Sequence, residues 1–162
     1  MGEFIRKPCK GSPFTIEDSV KNSKRSGFSV MRVFSETLSE DGRVVLTAYL
    51  HHVSDMMPSR TVRPAVLVFP GGSYNCVADI ENEPVAMSYF AAGYQAFSLK
   101  YSLGSEHCFE DALADADRAI AHIREMAEKW HVDPHKLAVC GFSAGGHLAA
   151  ASGTLSRNRP DA

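Results

Sequence analysis

The sequence predicts an α/β domain with a mostly parallel sheet that begins with an antiparallel hairpin. Three observations carry this. From residue 65 onward, apolar runs of strand length alternate with helix-length segments. Two strand-like runs joined by Asp41-Gly42 come before them. Finally, Leu137-Ala138-Val139-Cys140 passes through a glycine-flanked turn into an alanine-rich helix.

At 162 residues and 44% hydrophobic, the chain suits one globular domain with a real core. Seventeen basic residues are spread among nineteen acidic ones for a net charge of -2, which excludes a nucleic-acid or anionic-membrane footprint. Residues 1–10 lack the apolar core of a signal peptide, and no apolar run approaches membrane-spanning length. Cys9, Cys76, Cys108 and Cys140 form no C-x-x-C pair and read as free thiols, so a cytoplasmic location is expected. His51-His52 and His107-Cys108 lack metal-ligand spacing and read as loop residues; no metal or cofactor is expected.

Residues 1–27 form a polar leader, expected to be poorly ordered. Phe28 to Thr37 and Val44 to Leu50 read as the hairpin strands, and His51 to Pro64 as a surface connection. The continuous apolar run Ala65 to Phe69 reads as a strand covered on both faces. Glu83-Pro84 opens a helix that Gly93 stops, followed by a strand over Tyr94 to Leu99. One long helix is expected from Glu110 to Trp130, with Leu113, Ala116, Ile120, Ile123, Ala127 and Trp130 as its buried stripe. Its charged residues, Asp111, Asp115, Asp117, Arg118, Glu125 and Glu128, fall mostly on the solvated face. Val132-Asp133-Pro134 reads as a turn into the last strand.

Gly141-x-Ser143-x-Gly145 is the form of a nucleophile elbow. A serine on a strand-to-helix bend stands clear of the sheet only where flanking side chains are absent, and glycine supplies that absence. The helix begun there aims its first amides, Ala144's foremost, at the space above the hydroxyl. Pro70-Gly71-Gly72-Ser73 ends the neighbouring parallel strand, and the carboxyl ends of such strands share one crevice. The amides of Gly72 and Ser73 are therefore the second side of an oxyanion site for acyl transfer from Ser143. A phosphate cradle is the poorer reading, since neither nucleotide-binding glycine pattern is present.

Phe69-Pro70-Gly71-Gly72-Ser73-Tyr74, Glu83-Pro84-Val85-Ala86, Gly93-Tyr94 and Val132-Asp133-Pro134 lead in order to Gly141-Phe142-Ser143-Ala144-Gly145-Gly146-His147-Leu148. Over residues 28 to 155 this set resembles the α/β-hydrolase superfamily, in particular its esterase/lipase branch with the acetyl xylan esterase-like enzymes. The resemblance implies hydrolysis of a small-molecule ester through an acyl-enzyme, with Ser143 as nucleophile and Gly72, Ser73 and Ala144 at the oxyanion positions. Pro70 stands where many relatives carry a histidine, a mild departure because that histidine gives no amide to the oxyanion.

In this fold the acid and the histidine follow the serine along the chain. Only nineteen residues follow Ser143, so both are expected beyond residue 162, and residues 28–162 are expected to be the N-terminal part of a single domain. His147 lies one helical turn from Ser143 and reads as a helix-packing residue; Asp161 sits in the tail, and Asp133 at the far end of the sheet. Three rivals remain open: a non-catalytic truncated chain, a prolyl oligopeptidase-like serine peptidase, and a nucleotide-binding α/β module.

Overall fold

The structure is a computed structural model that describes residues 31–54 and 56–155. The leader over residues 1–27, Phe28, Val30 and Asp161 lie outside them. The strands are β1 Arg32–Thr37, β2 Val45–Leu50, β3 Arg63–Phe69, β4 Gln95–Lys100 and β5 Val132–Gly141. The helices are α1 Glu83–Ala91, α2 Phe109–Glu125, α3 Ala127–Trp130 and α4 Ala144–Leu155. The described strands form one sheet in the order β1-β2-β4-β3-β5.

The sheet is mixed. β1 pairs with β2 and β2 with β4 in antiparallel fashion, whereas β3 runs parallel to both β4 and β5. The hairpin turn forms because Gly42 takes φ +77 and the Asp41 carboxylate accepts from the Arg43 amide at 3.0 Å and the Ser39 hydroxyl at 2.8 Å. The α1 boundaries follow the proline and glycine signals: Pro84 sits in the first turn, and Gly93, at φ +100, donates to the Phe90 carbonyl at 2.9 Å.

Two apolar layers flank the sheet, as both-face coverage of β3 requires. Leu46, Leu67, Phe69, Phe97 and Leu99 face α2, α3 and α4, while Val66, Val68 and Ala96 face α1. The Trp130 indole is buried in the first layer, with ring centroids 5.5 Å from Phe97 and 5.7 Å from Phe34.

Three local expectations change. The long helix is interrupted at Met126, which separates α2 from the single turn of α3. Val132-Asp133-Pro134 is not a turn ahead of the last strand but its first stretch: between Arg63 and Ala65 the β5 partner advances from Val132 to Leu137. The extra residues loop out of the ladder, held by the Asp133 side chain, which accepts from the His135 amide at 3.0 Å and pairs with Lys136 at 3.1 Å. Asp115, though on the polar side of the helical pattern, is 4% exposed, because its carboxylate accepts the Ser102 amide at 2.9 Å and pairs with Arg118 at 3.1 Å.

Gln95, at 0% exposure, is a buried polar residue that the apolar strand pattern did not single out. Its side chain accepts from the His51 amide at 2.7 Å and donates to the Trp130 carbonyl at 2.9 Å, so one amide joins the end of β2 to the end of α3. Gln95→Ala leaves both backbone groups without that partner in a dry site and is expected to lower stability by about 3 kcal/mol, read from the urea midpoint.

Candidate active site

Ser143 is the second of the two residues, Phe142 and Ser143, between the end of β5 and the start of α4. Its φ of +48 is a left-handed conformation that costs a non-glycine residue about 1–3 kcal/mol, and its side chain is exposed. The close packing that holds this bend explains both flanking glycines. A Cβ on Gly145 would strike the Phe69 carbonyl group at the end of β3 and come within 2.7 Å of the Pro70 oxygen. One on Gly141 would meet the Gly145 carbonyl and lie 2.8 Å from the Gly146 nitrogen. The start of α4 is thus pressed against the carboxyl end of β3, and Phe142 donates its amide to the Phe69 carbonyl at 3.3 Å.

That contact brings the second segment to the serine. A Cβ on Gly71 would lie 3.0 Å from the Ser143 Cβ and 2.8 Å from the Phe142 oxygen, so the loop after β3 abuts the bend itself. Gly72 takes φ +132, while Ser73 and Tyr74 take +56 and +59. The three consecutive positive values curl the loop, and the Gly72 carbonyl accepts from Asn75 at 2.9 Å and Cys76 at 3.2 Å. Among the described residues, the amides of Gly72, Ser73 and Ala144 donate to no loop, turn or side-chain acceptor.

Three side chains that the motif reading left without roles fix this loop. The Glu81 carboxylate accepts the Gly71 amide at 2.8 Å, the Tyr101 hydroxyl donates to the Pro70 carbonyl at 2.7 Å, and the Tyr74 hydroxyl donates to the Ala144 carbonyl at 3.0 Å. Tyr74 stood in the recognised motif and Glu81 carried no signal, since only the fold brings residue 81 back to residue 71. His147 contacts Tyr74 at 2.8 Å through Nδ1 and meets Phe109 with the rings tilted and their centroids 4.6 Å apart, so it packs on the helix and its neighbours. Asp133 is the second residue of the strand that ends at Gly141, at the opposite end of that strand from Ser143. A cavity of about 650 Å³ is lined in part by Asn75, Cys76, Ser98, Lys100 and Tyr101, and Ser143 is not in its lining. Among the described residues no cluster of three His, Cys, Asp or Glu side chains is arranged to hold a metal ion.

Residues 55–160 match the BD-FAE family of α/β-hydrolase esterases. The chain belongs to that family. It is 37% identical over 106 residues to endo-1,4-beta-xylanase B of Butyrivibrio fibrisolvens, covering 64% of this chain and 16% of the relative. It is 26% identical over 126 residues to the acetylxylan esterase of Xylanibacter ruminicola, covering 76% of this chain and 24% of the relative. Among solved structures, MGS-M1, an α/β hydrolase enzyme from a Medee basin deep-sea metagenome library, superposes with a TM-score of 0.72 at 44% identity, over 75% of this chain and 50% of that one. The chain therefore spans half the length of this solved relative and a quarter or less of the two curated ones.

The sharpness of the bend makes one substitution decisive. Gly145→Ala drives a methyl into the β3 backbone and is expected to cost about 3 kcal/mol and to displace the elbow, read by thermal unfolding beside the milder Gly146→Ala, whose Cβ meets its nearest atom at 3.2 Å. A second prediction follows from Tyr101. Burial pushes its hydroxyl from 10.0 up to about 12, so the unfolded chain loses that proton first. Its contribution to stability is therefore complete below pH 10, falls as pH rises from 10 to 12, and is absent from Tyr101→Phe; urea titrations across that range measure the difference.

Proposed function

We propose that this chain carries the nucleophile and oxyanion site of a carboxylic-ester hydrolase that works through an acyl-enzyme on short acyl esters, acetyl groups on sugars foremost. The observation that carries the reading is the exposed Ser143, held at φ +48 with the Gly71 backbone packed against it. In this reading Ser143 Oγ attacks the ester carbonyl, and Gly72, Ser73 and Ala144 give their unspent amides to the oxygen that becomes negative. Amides from two segments surround that oxygen better than one turn could, and the α4 N-terminus adds its positive end. The Xylanibacter acetylxylan esterase supports the acetyl-sugar substrate, and the esterase family supports the reaction class.

The reading takes its histidine and acid from beyond residue 162, because His147 is committed to Tyr74 and Phe109, and Asp133 is a strand length away. It also keeps the protein in the cytoplasm, on the thiols Cys76, Cys108 and Cys140, which are unbridged. No helix among the described residues is long and apolar enough to cross a membrane.

The test is covalent. A fluorophosphonate probe is expected to modify Ser143 of the 162-residue chain, slowly for want of the base, with the adduct mapped to the elbow peptide and lost in Ser143→Ala. Hydrolysis of p-nitrophenyl acetate by the same preparation is expected at the background rate. Labelling that persists in Ser143→Ala overturns the nucleophile, and robust hydrolysis abolished by that substitution places the base inside these residues.

A further inference from the structure

The Tyr74 hydroxyl has one proton and two partners. It lies 3.0 Å from the Ala144 carbonyl oxygen and 2.8 Å from His147 Nδ1. Two oxygens at that separation repel unless a proton lies between them, and a carbonyl cannot supply one. The tyrosine proton is therefore spent on Ala144. The contact with His147 must then be made by a proton on Nδ1, donated to the tyrosine oxygen.

We infer that Tyr74 and His147 form a latch across the oxyanion site: His147 is held as the Nδ1–H tautomer, and the relay His147 Nδ1–H to Tyr74 O–H to Ala144 carbonyl fixes the distance between the loop after β3 and the start of α4. This goes beyond a packing role for His147 and rests on the proposed function only in giving the two segments a purpose. Tyr74 belongs to the loop that carries Gly72 and Ser73, and Ala144 is the first residue of α4. The pair thus joins the two sources of donors through a single oxygen.

The surroundings fit such a joint. The Tyr74 ring meets Tyr101, Phe109 and His147 edge-on at 5.8, 6.1 and 6.1 Å, and the Gly104 amide donates to its carbonyl at 2.7 Å. Burial raises the Tyr74 hydroxyl above its ordinary 10.0, so it keeps its proton through the neutral range. A free imidazole favours the Nε2–H form, and only a partner at Nδ1 selects the other one. His147 makes Tyr74 and the α4 backbone a positioning pair rather than catalytic groups.

The experiment reads the tautomer directly and needs no catalytic activity, so its outcome is separate from that of the esterase reading. Long-range proton–nitrogen correlation spectra of the ¹⁵N-histidine-labelled 162-residue chain at pH 8 are expected to show His147 with Nδ1 protonated and Nε2 bare, and the pattern reversed in Tyr74→Phe. Backbone relaxation at residues 71–74 then separates a latch from a passive contact. His147→Asn, whose amide can donate from the Nδ1 position, is expected to keep the loop as ordered as in the parent chain, while His147→Gln and Tyr74→Phe loosen it. His147 is exposed, so its two variants should keep the fold. An Nε2–H tautomer in the parent chain overturns the proposal, as does a loop equally rigid in all four proteins.

Discussion

The structure depends on one close approach: the first turn of α4 lies against the carbonyl end of β3 with no side chain between them. Gly145 makes it possible, and Gly141 allows the strand to bend into the helix without meeting the helix backbone. Neither residue contributes surface or charge; each contributes an absence of atoms. The strain at Ser143 persists because the flanking strand and helix are fixed by the sheet and by the apolar layer that buries Leu148 at 0% exposure. A loop could relax such a φ value, whereas a serine caught between a paired strand and a packed helix cannot.

From that approach the arrangement of donors follows. Pressing α4 onto β3 places the loop after β3 beside the serine, and parallel pairing of β3 with β5 in register, Val68 with Cys140 and Phe69 with Gly141, ensures that both strands end at the same level. A one-residue slip would move Gly71 away from Ser143 and turn the two strands' inward side chains to the opposite faces. The bulge at Asp133–Lys136 lies at the far end of the same pair, away from the paired ends Phe69 and Gly141.

The sequence revealed what depends on local pattern. Apolar runs, the Asp-Gly turn, the Pro84 start and Gly93 stop of α1, and the glycine spacing of the elbow are all properties of neighbouring residues, and each appears in the structure. What escaped depends on distant chain segments. Glu81 reaches Gly71 across ten residues, and Gln95 joins His51 to Trp130 across 44 and 35 residues. No periodicity encodes these meetings. Asp115 was hidden for the opposite reason: its pattern position is polar, and the Ser102 amide it accepts together with the Arg118 ion pair explains a buried carboxylate there.

The loop after β3 shows why these long-range contacts bear on function. A segment whose φ values are +132, +56 and +59 in succession has no helical or strand ladder to hold it, and amides left free for a ligand cannot hold it either. The groups that fix its shape must therefore be the ones not offered to the site: the Pro70 carbonyl held by Tyr101, the Gly71 amide held by Glu81, and the Tyr74 side chain held on α4. None of these anchors uses the amide of Gly72 or Ser73. The loop after β3 is thus held in shape while the amides of Gly72 and Ser73 donate to no loop, turn or side-chain acceptor among the described residues.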